Sequence, residues 1–529
     1  MTAEAFAFDA APSIEELARF DLNDDGNAMR LIRMTGGRIG DDGVVDVSTS
    51  RVLYLRRRGW IVFNGQFWDL ETGEARARRH AVQVARSMHA QMEIRVAALA
   101  DKLSAKAIQA IHDFGTSTGN SARLSSMLKV AAAYLDVDMD AFDRDPLALN
   151  CRNGVLRFRH GPDGPVAAFT DGHEPGDRFT RMVDASYDPV ATAALFRQVL
   201  ETSLPNREDR HYLHKALGYC ATGSTAEQKF FVFQGKGGDG KSTVVNAVRS
   251  ALGTYATVVG IETFLDTGTK RGSDASPDIA ALAGDTRMLC AGEPPGGSKL
   301  ATGAIKQFTG GGKMKARELR EGLFEFSPLG KPIIECNRRP QINDTDNGIW
   351  RRLKIIPFMV QIPEDRIDGH LPKKLERELD GILAWIVEGV LAWMDEGLGD
   401  IESVRESLED YRKGSNPFTQ WLEDRVVMDR EARVRASLLY RDYKDWMEAQ
   451  GHDRPMSQKA FGMTLGDLQI VLGPKDGAGL VTRRGARLKG AFEPPPGPAH
   501  RSRGVDPPLG VGGLEGEDPF LDDGTRWPQ

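Results

Sequence analysis

The clearest chemical signal is a glycine-rich segment in the middle of the chain. Residues 235–242 read GKGGDGKS and fit G-x-x-x-x-G-K-[ST], between an apolar run and a helical pattern from Thr243 to Leu252. Glycines let backbone N–H groups surround phosphate oxygens, and the helix N-terminus adds a favourable dipole. We expect Lys241 to reach the β- and γ-phosphates of ATP and Ser242 to hold Mg²⁺. The residues predicted to bind the nucleotide are Gly235, Lys236, Gly237, Gly238, Asp239, Gly240, Lys241, Ser242 and Thr243.

The same segment allows a second interpretation. From Lys236 to Thr243 it also resembles the deviant loop K-G-G-x-G-K-[ST]-T of partition and Min-type ATPases. Those proteins usually carry the loop near the start of the chain and follow it with a strand rich in Asp-x-Asp. Here the loop begins at residue 235 and no such strand follows, so the first interpretation is favoured.

Two apolar runs downstream of the loop end in polar residues. The run 287–293 ends in Glu293, which is a candidate to polarise the attacking water or to hold a Mg²⁺-bound water. Acids often come in pairs at this site, but Gly292 precedes the single Glu, so sequence cannot separate the two roles. The run 332–337 ends in Asn337, a candidate sensor of the γ-phosphate or the attacking water. The alternative for Asn337 is an ordinary turn residue at a strand end.

Two adjacent arginines, Arg351 and Arg352, precede a further apolar run. A guanidinium offers fixed donors to the charge that develops on a transferring phosphoryl group, so either residue is a candidate arginine finger. In ring ATPases such a finger acts on the nucleotide of the neighbouring subunit. The alternative for each is a salt-bridged surface residue, and the sequence does not say which one is the finger.

The elements that must position these residues are short apolar runs alternating with helical or glycine-rich segments. Continuous apolar runs of this length suit strands buried on both faces of a parallel sheet. We therefore predict an α/β core, a parallel sheet with flanking helices. The five runs are residues 230–233, 257–259, 288–291, 333–336 and 354–356.

The flanking regions carry local signals of their own. Residues 60–68 place Asn-Gly between aromatic and β-branched runs, which predicts a hairpin with a tight type I′ turn. A second hairpin is predicted at 150–158, and helices are predicted over 77–135 because Ala, Leu, Met, Arg and Gln dominate there. Residues 381–394 are apolar at helical spacing but too short to span a bilayer, which predicts a buried helix.

The C-terminal region predicts helices over about 372–450 and then a small mixed module. Residues 437–446 and 456–468 read as amphipathic helices and 480–489 as a basic hairpin, an arrangement compatible with a winged helix. The tail after residue 492 is rich in Pro and Gly and is predicted to be disordered. The candidates for contacts to duplex phosphates are Arg483, Arg484, Arg487 and Lys489.

Composition sets the outer bounds. A chain of 529 residues suggests three or four domains, and 40% hydrophobic with 27% charged residues excludes collagen-like, coiled-coil and wholly disordered proteins. A net charge of −6 excludes a bulk polyelectrolyte binder, so any contact with nucleic acid must be local. The cysteines lie far apart without a Cys-x-x-Cys pair, which argues against a zinc ribbon. No targeting or membrane segment is visible, and this indicates a cytoplasmic protein with no membrane partner.

Together, the four motifs in this order and spacing resemble superfamily 3 DNA helicases, specifically the helicase half of phage and plasmid primase–helicases related to the poxvirus primase–helicase. Residues 305–326 look like the B′ segment of that family, and 343–352 and 378–385 look like further signatures. The hairpin at Asn153-Gly154 and the approach at 187–189 resemble its N-terminal accessory domain. The similarity covers most of residues 25–490.

The resemblance implies an AAA+-like P-loop ATPase that assembles as a ring, usually a hexamer, around single-stranded DNA. Such enzymes use ATP and Mg²⁺ to separate strands at an origin or fork of phage, prophage or plasmid DNA in the bacterial cytoplasm. Their B′ hairpin projects into the central channel, where cations track phosphates. A solvated basic stretch is the alternative for each matching cation. The matching residues are Lys306, Lys313, Lys315, Arg317 and Arg320.

The domain organisation implied by the resemblance has five parts. The accessory domain begins almost at once, which leaves no room for a primase module, so a separate primase or other replication protein is the expected partner. The predicted parts are an α+β accessory domain at 1–185, the ATPase core at 186–365, a helical lid or linker at 366–420, a winged-helix-like module at 421–492 and a disordered acidic tail at 493–529.

Two other classes of function stay open at this point. A partition-type switch would dimerise on ATP and hydrolyse it slowly without unwinding DNA. The Lys236-Gly-Gly sequence of the loop is compatible with this class. A DNA-binding adaptor with a vestigial ATPase is compatible with the single acid at Glu293. The size of the assembly in ATP and a plain hydrolysis assay separate these classes from a helicase.

Overall fold

The computed structural model describes residues 12–56, 58–266, 277–280, 282–317, 323–342, 347–415, 417–450 and 455–490. Within it the chain forms two units, Met1–Gln420 and Trp421–Gln529. The predicted tail at 493–529 and the predicted DNA contact Arg320 lie outside the described residues. For Arg317 the structure describes the backbone but not the side chain.

The first part of the larger unit packs helices on a small sheet of order β5-β4-β3-β6. The predicted helices over 77–135 are confirmed as the three helices α3, α4 and α5. The inward faces of α3 and α5 bury Ala, Val, Leu and Met against the sheet, and α4 packs on α3. The elements are α1 (Ile14–Leu17), α2 (Asp24–Met34), β1 (Arg38–Ile39), β2 (Val45–Asp46), β3 (Val52–Leu55), β4 (Gly59–Phe63), β5 (Trp68–Asp69), α3 (Gly73–Leu99), α4 (Ala105–Ser117), α5 (Ser121–Tyr134) and β6 (Asp136–Val137).

The first predicted hairpin is present, but its turn is not the predicted one. Strands β4 and β5 pair with Phe63 opposite Trp68, which leaves a four-residue loop instead of a two-residue type I′ turn. The side-chain Oδ1 of Asn64 accepts hydrogen bonds from the backbone N–H groups of Gln66 and Phe67, at 2.9 and 3.0 Å. This side-chain cap satisfies the loop backbone, so the prediction of a tight turn was wrong.

The second predicted hairpin connects the accessory region to the central sheet. Strands β7 (Ala148–Cys151), β8 (Gly154–Gly161) and β9 (Gly164–Asp171) form an antiparallel sheet, followed by helices α6 (Ala194–Ser203) and α7 (Arg207–Ala221). The buried guanidinium of Arg287 pairs with Asp285 at 2.5 Å. It also donates to the backbone oxygens of Ala148 and Ala221, at 2.7 and 3.0 Å. One buried cation therefore joins the hairpin, α7 and the strand that begins at Met288.

A five-stranded, fully parallel sheet forms the core of the larger unit, in the order β11-β12-β15-β10-β16. All five predicted strands are confirmed, because strands buried on both faces carry the continuous apolar runs seen in the sequence. An antiparallel hairpin, β13–β14, lies outside this sheet. The elements are β10 (Phe230–Gly235), α8 (Lys241–Leu252), β11 (Ala256–Val258), α9 (Pro277–Ala280), β12 (Met288–Ala291), α10 (Thr302–Thr309), β13 (Met314–Arg317), β14 (Leu323–Phe326), β15 (Lys331–Cys336), α11 (Asn347–Trp350) and β16 (Leu353–Phe358).

Helices follow the sheet. These are α12 (Leu371–Leu375), α13 (Leu379–Glu396), α14 (Glu402–Gly414) and α15 (Pro417–Arg425). The prediction of a buried apolar helix is confirmed by α13, which crosses α7 at two glycines. A Cβ added to Gly218 would lie 2.2 Å from the backbone carbon of Gly389, so only glycines allow this approach.

The smaller unit contains a three-stranded antiparallel sheet of order β17-β19-β18 and two helices. Its elements are β17 (Val426–Arg435), α16 (Ala436–Ala449), α17 (Gln458–Asp467), β18 (Val471–Gly473) and β19 (Thr482–Leu488). The two predicted amphipathic helices are confirmed. The prediction of a basic hairpin at 480–489 was wrong, because β19 continues through Gly485 as the central strand and pairs on both sides. The prediction of helices throughout 372–450 missed β17.

Candidate active site

The glycine-rich loop leaves the end of β10 and leads directly into α8. Gly237, Gly238 and Gly240 have φ values of 88°, 63° and 84°, a region in which glycine is not strained. A Cβ added to Gly240 would lie 2.0 Å from Oγ of Ser203, so α6 packs directly on the loop. The backbone N–H of Ile362 donates to the oxygen of Gly238 at 2.7 Å. The loop is therefore held from two sides.

The carboxylate of Asp239 fills the hollow of this loop. It accepts the backbone N–H of Gly237 at 3.1 Å and that of Lys241 at 3.2 Å. Nζ of Lys241 lies 3.1 Å from the same carboxylate, and Asp239 is only 2% exposed. Backbone N–H groups and an ammonium that converge on one carboxylate form an anion-binding concavity. The sequence grouped Asp239 with the loop but did not predict this inward position.

Asn337 reaches the loop from the neighbouring strand. Because β15 pairs in parallel with β10, the carboxyl ends of the two strands meet at one edge of the sheet. There, Nζ of Lys241 donates to Oδ1 of Asn337 at 2.8 Å. The structure thus brings together two residues that the sequence analysis selected 96 positions apart.

Glu335 joins the site although the sequence analysis did not select it. It lies on β15, two residues before Asn337, which follows the end of that strand at Cys336. Its Oε2 accepts the hydroxyl of Ser242 at 2.5 Å. Burial raises the pKa of Glu335, against the opposing effects of the Ser242 hydroxyl and Lys241. The usable signal was an acid within an otherwise apolar strand, spaced by two from a candidate residue.

Glu293 lies just beyond β12 and is tied to the same strand end. Its two carboxylate oxygens accept the backbone N–H groups of Asn337 and Arg338, at 2.6 and 3.1 Å. Three of the predicted residues, Lys241, Asn337 and Glu293, therefore form one continuous set of contacts. A carboxylate, an amide and an ammonium at one sheet edge can orient a water and stabilise a developing negative charge.

The loop that follows β15 is anchored at its far side as well. Nε of Arg339 donates to Oε1 of Gln234 at 2.6 Å, and its guanidinium lies 5.3 Å from the centroid of the Tyr411 ring. The hydroxyl of Tyr411 donates to the backbone oxygen of Pro340. Burial lowers the pKa of Arg339, and nearby Tyr411 opposes this shift. Helix α14, which carries Tyr411, thereby contacts the loop that follows Asn337.

The two candidate finger arginines differ in accessibility. Arg352 is 9% exposed, and its guanidinium donates to the backbone oxygen of Gly348 at 2.8 Å and to Oε1 of Gln228 at 3.3 Å. Arg351 is exposed, and its backbone oxygen accepts a hydrogen bond from Nζ of Lys229 at 2.8 Å. The structure brings neither arginine into contact with Lys241, so both stand apart from the cluster around the loop.

The hairpin β13–β14 carries the predicted cations on its outer face. Met314 and Ala316 are buried, and the alternating Lys313 and Lys315 are exposed, with Nζ atoms 4.0 and 3.7 Å from the carboxylate of Glu325. The remaining predicted cation in this region, Lys306, is half-buried on α10. The strand period of two thus separates a core face from a basic face.

In the smaller unit, the four predicted DNA contacts are not equivalent. Arg483 is half-buried and donates to the backbone oxygens of Ile470 and Gly462, at 3.1 and 3.0 Å. Burial lowers its pKa. The other three are exposed, each with a partner in the same unit: Arg484 with Glu431 at 3.1 Å, Arg487 with Asp429 at 3.8 Å and Lys489 with the backbone oxygen of Glu423 at 2.5 Å.

Neither a metal-ligand cluster nor a membrane-spanning helix occurs among the described residues. No three His, Cys, Asp or Glu side chains in that part of the chain come together as ligands of a metal ion would. None of the helices the structure describes combines the length and hydropathy needed to cross a bilayer.

Comparison with known proteins identifies the relatives of this fold and site. The family description "D5 N terminal like" matches residues 42–205, and "Poxvirus D5 protein-like" matches residues 413–469. The chain is 28% identical over 325 residues to the candidate helicase L207/L206 of Acanthamoeba polyphaga mimivirus, covering 57% of this chain and 34% of the relative. It is 24% identical over 331 residues to the candidate helicase 022R of Frog virus 3, covering 59% and 33%.

A third relative is named for priming. The candidate primase C962R of African swine fever virus is 23% identical over 334 residues, covering 59% of this chain and 34% of the relative. The chain spans about a third of the length of these relatives. The apo NrS-1 C-terminal region overlaps 62% of this chain and 82% of its own at 9% identity and a TM-score of 0.38, too low to bear on the fold.

The chain is thus a mixed α/β protein with a parallel five-stranded sheet and two D5-type segments. These two segments, with relatives named as helicases or primases, are consistent with a primase–helicase family, and the resemblance inferred from the motifs is confirmed. The curated relatives above come from large DNA viruses, so the predicted phage or plasmid origin stays a prediction.

Proposed function

We propose that this chain is the motor subunit of an ATP-dependent DNA helicase that acts in replication. One observation carries the proposal. Lys241, Ser242, Asn337 and Glu293 converge at the carboxyl edge of a parallel sheet, where α/β proteins place their ligands. The sheet and its flanking helices support an AAA+-like ATPase core with ATP and Mg²⁺ as cofactors.

In this proposal the glycine-rich loop binds the triphosphate. Lys241 exchanges the Asp239 carboxylate for the β- and γ-phosphates, and the loop N–H groups donate to phosphate oxygens. Ser242 would hold a bound Mg²⁺, and that ion would supply positive charge to balance the phosphates. Asn337 contacts the γ-phosphate or the attacking water. Glu293 accepts a proton from that water.

Arg351 completes the site of a neighbouring subunit. A finger must leave its own subunit, and Arg351 is exposed while the guanidinium of Arg352 is bonded within its own fold. This requires a closed homo-oligomer, for which a hexameric ring is the proposed form. The basic face of the β13–β14 hairpin would then follow the phosphates of single-stranded DNA in the channel.

The smaller unit supports a winged-helix-like role on duplex DNA. The order of elements from α15, which ends within this unit, is helix, strand, two helices and two strands. The exposed cations Arg484, Arg487 and Lys489 are the proposed contacts to duplex phosphates. Forked DNA and a primase or other replication protein are the proposed partners.

The test measures ATP hydrolysis with and without single-stranded DNA, together with strand separation on a forked oligonucleotide. We expect DNA-stimulated hydrolysis and unwinding, both abolished by Lys241→Ala and unchanged by Lys129→Ala on the accessory region. Unwinding that survives Lys241→Ala refutes the mechanism. A dimer in ATP with slow hydrolysis and no unwinding favours the partition-type switch, and no hydrolysis at all favours an adaptor.

A further inference from the structure

We propose that Glu335 supplies a carboxylate of the Mg²⁺–nucleotide site, in place of the acid that Gly292 does not provide. The inference rests on the proposed function, because it concerns the cation that accompanies the triphosphate. Its central observation is the 2.5 Å contact between Oε2 of Glu335 and Oγ of Ser242, the hydroxyl expected to hold that cation.

The residue before Glu293 leaves room for an acid. Paired acids are common after this strand, and here the first position is Gly292. A Cβ added to Gly292 would meet no atom within 4 Å, so packing does not enforce the glycine. The structure therefore has space for a side chain at position 292. Because the sequence has glycine there, a second negative charge near the cation must come from another residue.

Strand order explains why the charge can come from β15. This strand lies between β10 and β12, so its carboxyl end is nearer to the glycine-rich loop than the end of β12 is. Glu335 is paired with Phe233, two residues before the loop begins at Gly235. Glu335 lies on β15, and Asn337 follows just beyond the end of that strand. The structure places Glu335 beside Ser242 and Asn337 beside Lys241.

The donor set fits Mg²⁺. This ion prefers oxygen ligands, keeps several waters and is usually bound through one or two carboxylates together with substrate phosphates. Ser242 and Glu335 offer a hydroxyl and a carboxylate. Lys241 and Asp239 are the charged groups nearest to this pair, and they already balance each other.

The experiment measures how nucleotide affinity depends on Mg²⁺. The full chain is titrated with a fluorescent ATP analogue in EDTA and then at increasing Mg²⁺ concentration. We expect Glu335→Gln, which keeps the shape but loses the charge, to raise the Mg²⁺ midpoint about 10- to 100-fold. Affinity in EDTA should not fall. Glu201→Gln, an exposed acid on α6, is the matched control and should leave the midpoint unchanged.

Rescue sharpens the test. Adding Gly292→Asp to Glu335→Gln restores an acid at the other position and should return the midpoint toward that of the unmodified chain. If Glu335→Gln does not fold, Glu335→Asp asks the same question, since a shorter side chain must also raise the midpoint. A midpoint unchanged in a folded variant overturns the inference. An unmodified chain that binds no nucleotide in Mg²⁺ overturns the proposed function instead, so the two failures are distinguishable.

Discussion

The carboxylate of Asp239 occupies donors of Lys241 that a phosphate would use. It lies 3.1 Å from Nζ of Lys241 and 3.2 Å from the backbone nitrogen of the same residue. In loops of this sequence pattern, the lysine and backbone N–H groups hold phosphate oxygens. A triphosphate that enters the loop must therefore displace a carboxylate of like charge, and the protein supplies its own competitor.

Asp239→Asn should strengthen nucleotide binding. The substitution removes a negative charge that faces the incoming phosphates, and we expect affinity in EDTA to rise about tenfold, equivalent to about 1.4 kcal/mol. Titration with a fluorescent nucleotide measures it, with Asp163→Asn on an exposed turn as a control of equal charge change. Weaker binding would mean that the carboxylate braces the loop.

Arg351→Ala should leave folding and nucleotide binding intact but slow hydrolysis on the order of 10³-fold, because the finger acts only in the transition state. Arg352→Ala should instead lower the unfolding temperature, since it removes buried hydrogen bonds to Gly348 and Gln228. Mixing Lys241→Ala with Arg351→Ala subunits tests action between subunits. Some interfaces then hold both intact groups, and activity should partly return. No recovery on mixing would argue against a shared site.

Replacing Lys313 and Lys315 by Gln should weaken single-stranded DNA binding. Each lost phosphate contact should reduce the slope of log affinity against log salt by about 0.7. The double change of Lys106 and Lys129 to Gln, at exposed lysines on α4 and α5, controls for the change in net charge. The fold should tolerate both changes because the buried partners on this strand are Met314 and Ala316. A salt slope equal to that of the control would mean that Glu325 alone is their partner.

Lys331 should make stability depend on pH. Burial lowers its pKa from the ordinary value of 10.5 to about 7, while its Nζ donates to the backbone oxygens of Thr222 and Leu329. Between these values the unfolded chain binds a proton that the folded chain does not, so this residue makes stability rise with pH. Thermal unfolding at pH 7 and pH 9.5 measures the effect. Lys331→Met should show a smaller gain than the unmodified chain, and an equal gain would contradict the assignment.

Arg487→Gln and Arg483→Gln should have different effects in the smaller unit. The first removes an exposed cation and should reduce the salt slope of duplex binding by about 0.9. The second removes two hydrogen bonds to backbone oxygens, at 3.1 and 3.0 Å, and should lower the unfolding temperature. Calorimetry and duplex titrations at several salt concentrations check both. Reversed effects would show that Arg483, not Arg487, faces the DNA.

The sequence predicted the central sheet because strands buried on both faces have a simple signature, a continuous apolar run. The sequence-based prediction failed where tertiary contacts determine the local structure. The charged middle of β17, from Asp429 to Arg433, hides a strand that forms because β19 pairs with both ends of it. Asn64 followed by Gly65 is a strong local turn signal, yet the side chain of Asn64 caps a longer loop.

The candidate site was predictable to the extent that each motif carries its own pattern. Lys241, Glu293 and Asn337 each stand at the end of a run that marks a strand or loop. No sequence pattern predicts the contact of Glu335 with Ser242 or the inward position of the Asp239 side chain. Both depend on which strands are neighbours and on which way a side chain points.

The contacts of Arg287 limit how this protein can be dissected. Its guanidinium donates to Ala148 and Ala221, on opposite sides of the predicted boundary at residue 185. A fragment that starts at residue 186 would keep the guanidinium of Arg287 but lose the backbone oxygen of Ala148 that accepts its hydrogen bond. A buried donor without an acceptor destabilises the fold. The hairpin is therefore part of what keeps the central sheet folded, and experiments that exchange the accessory domain should place the junction elsewhere.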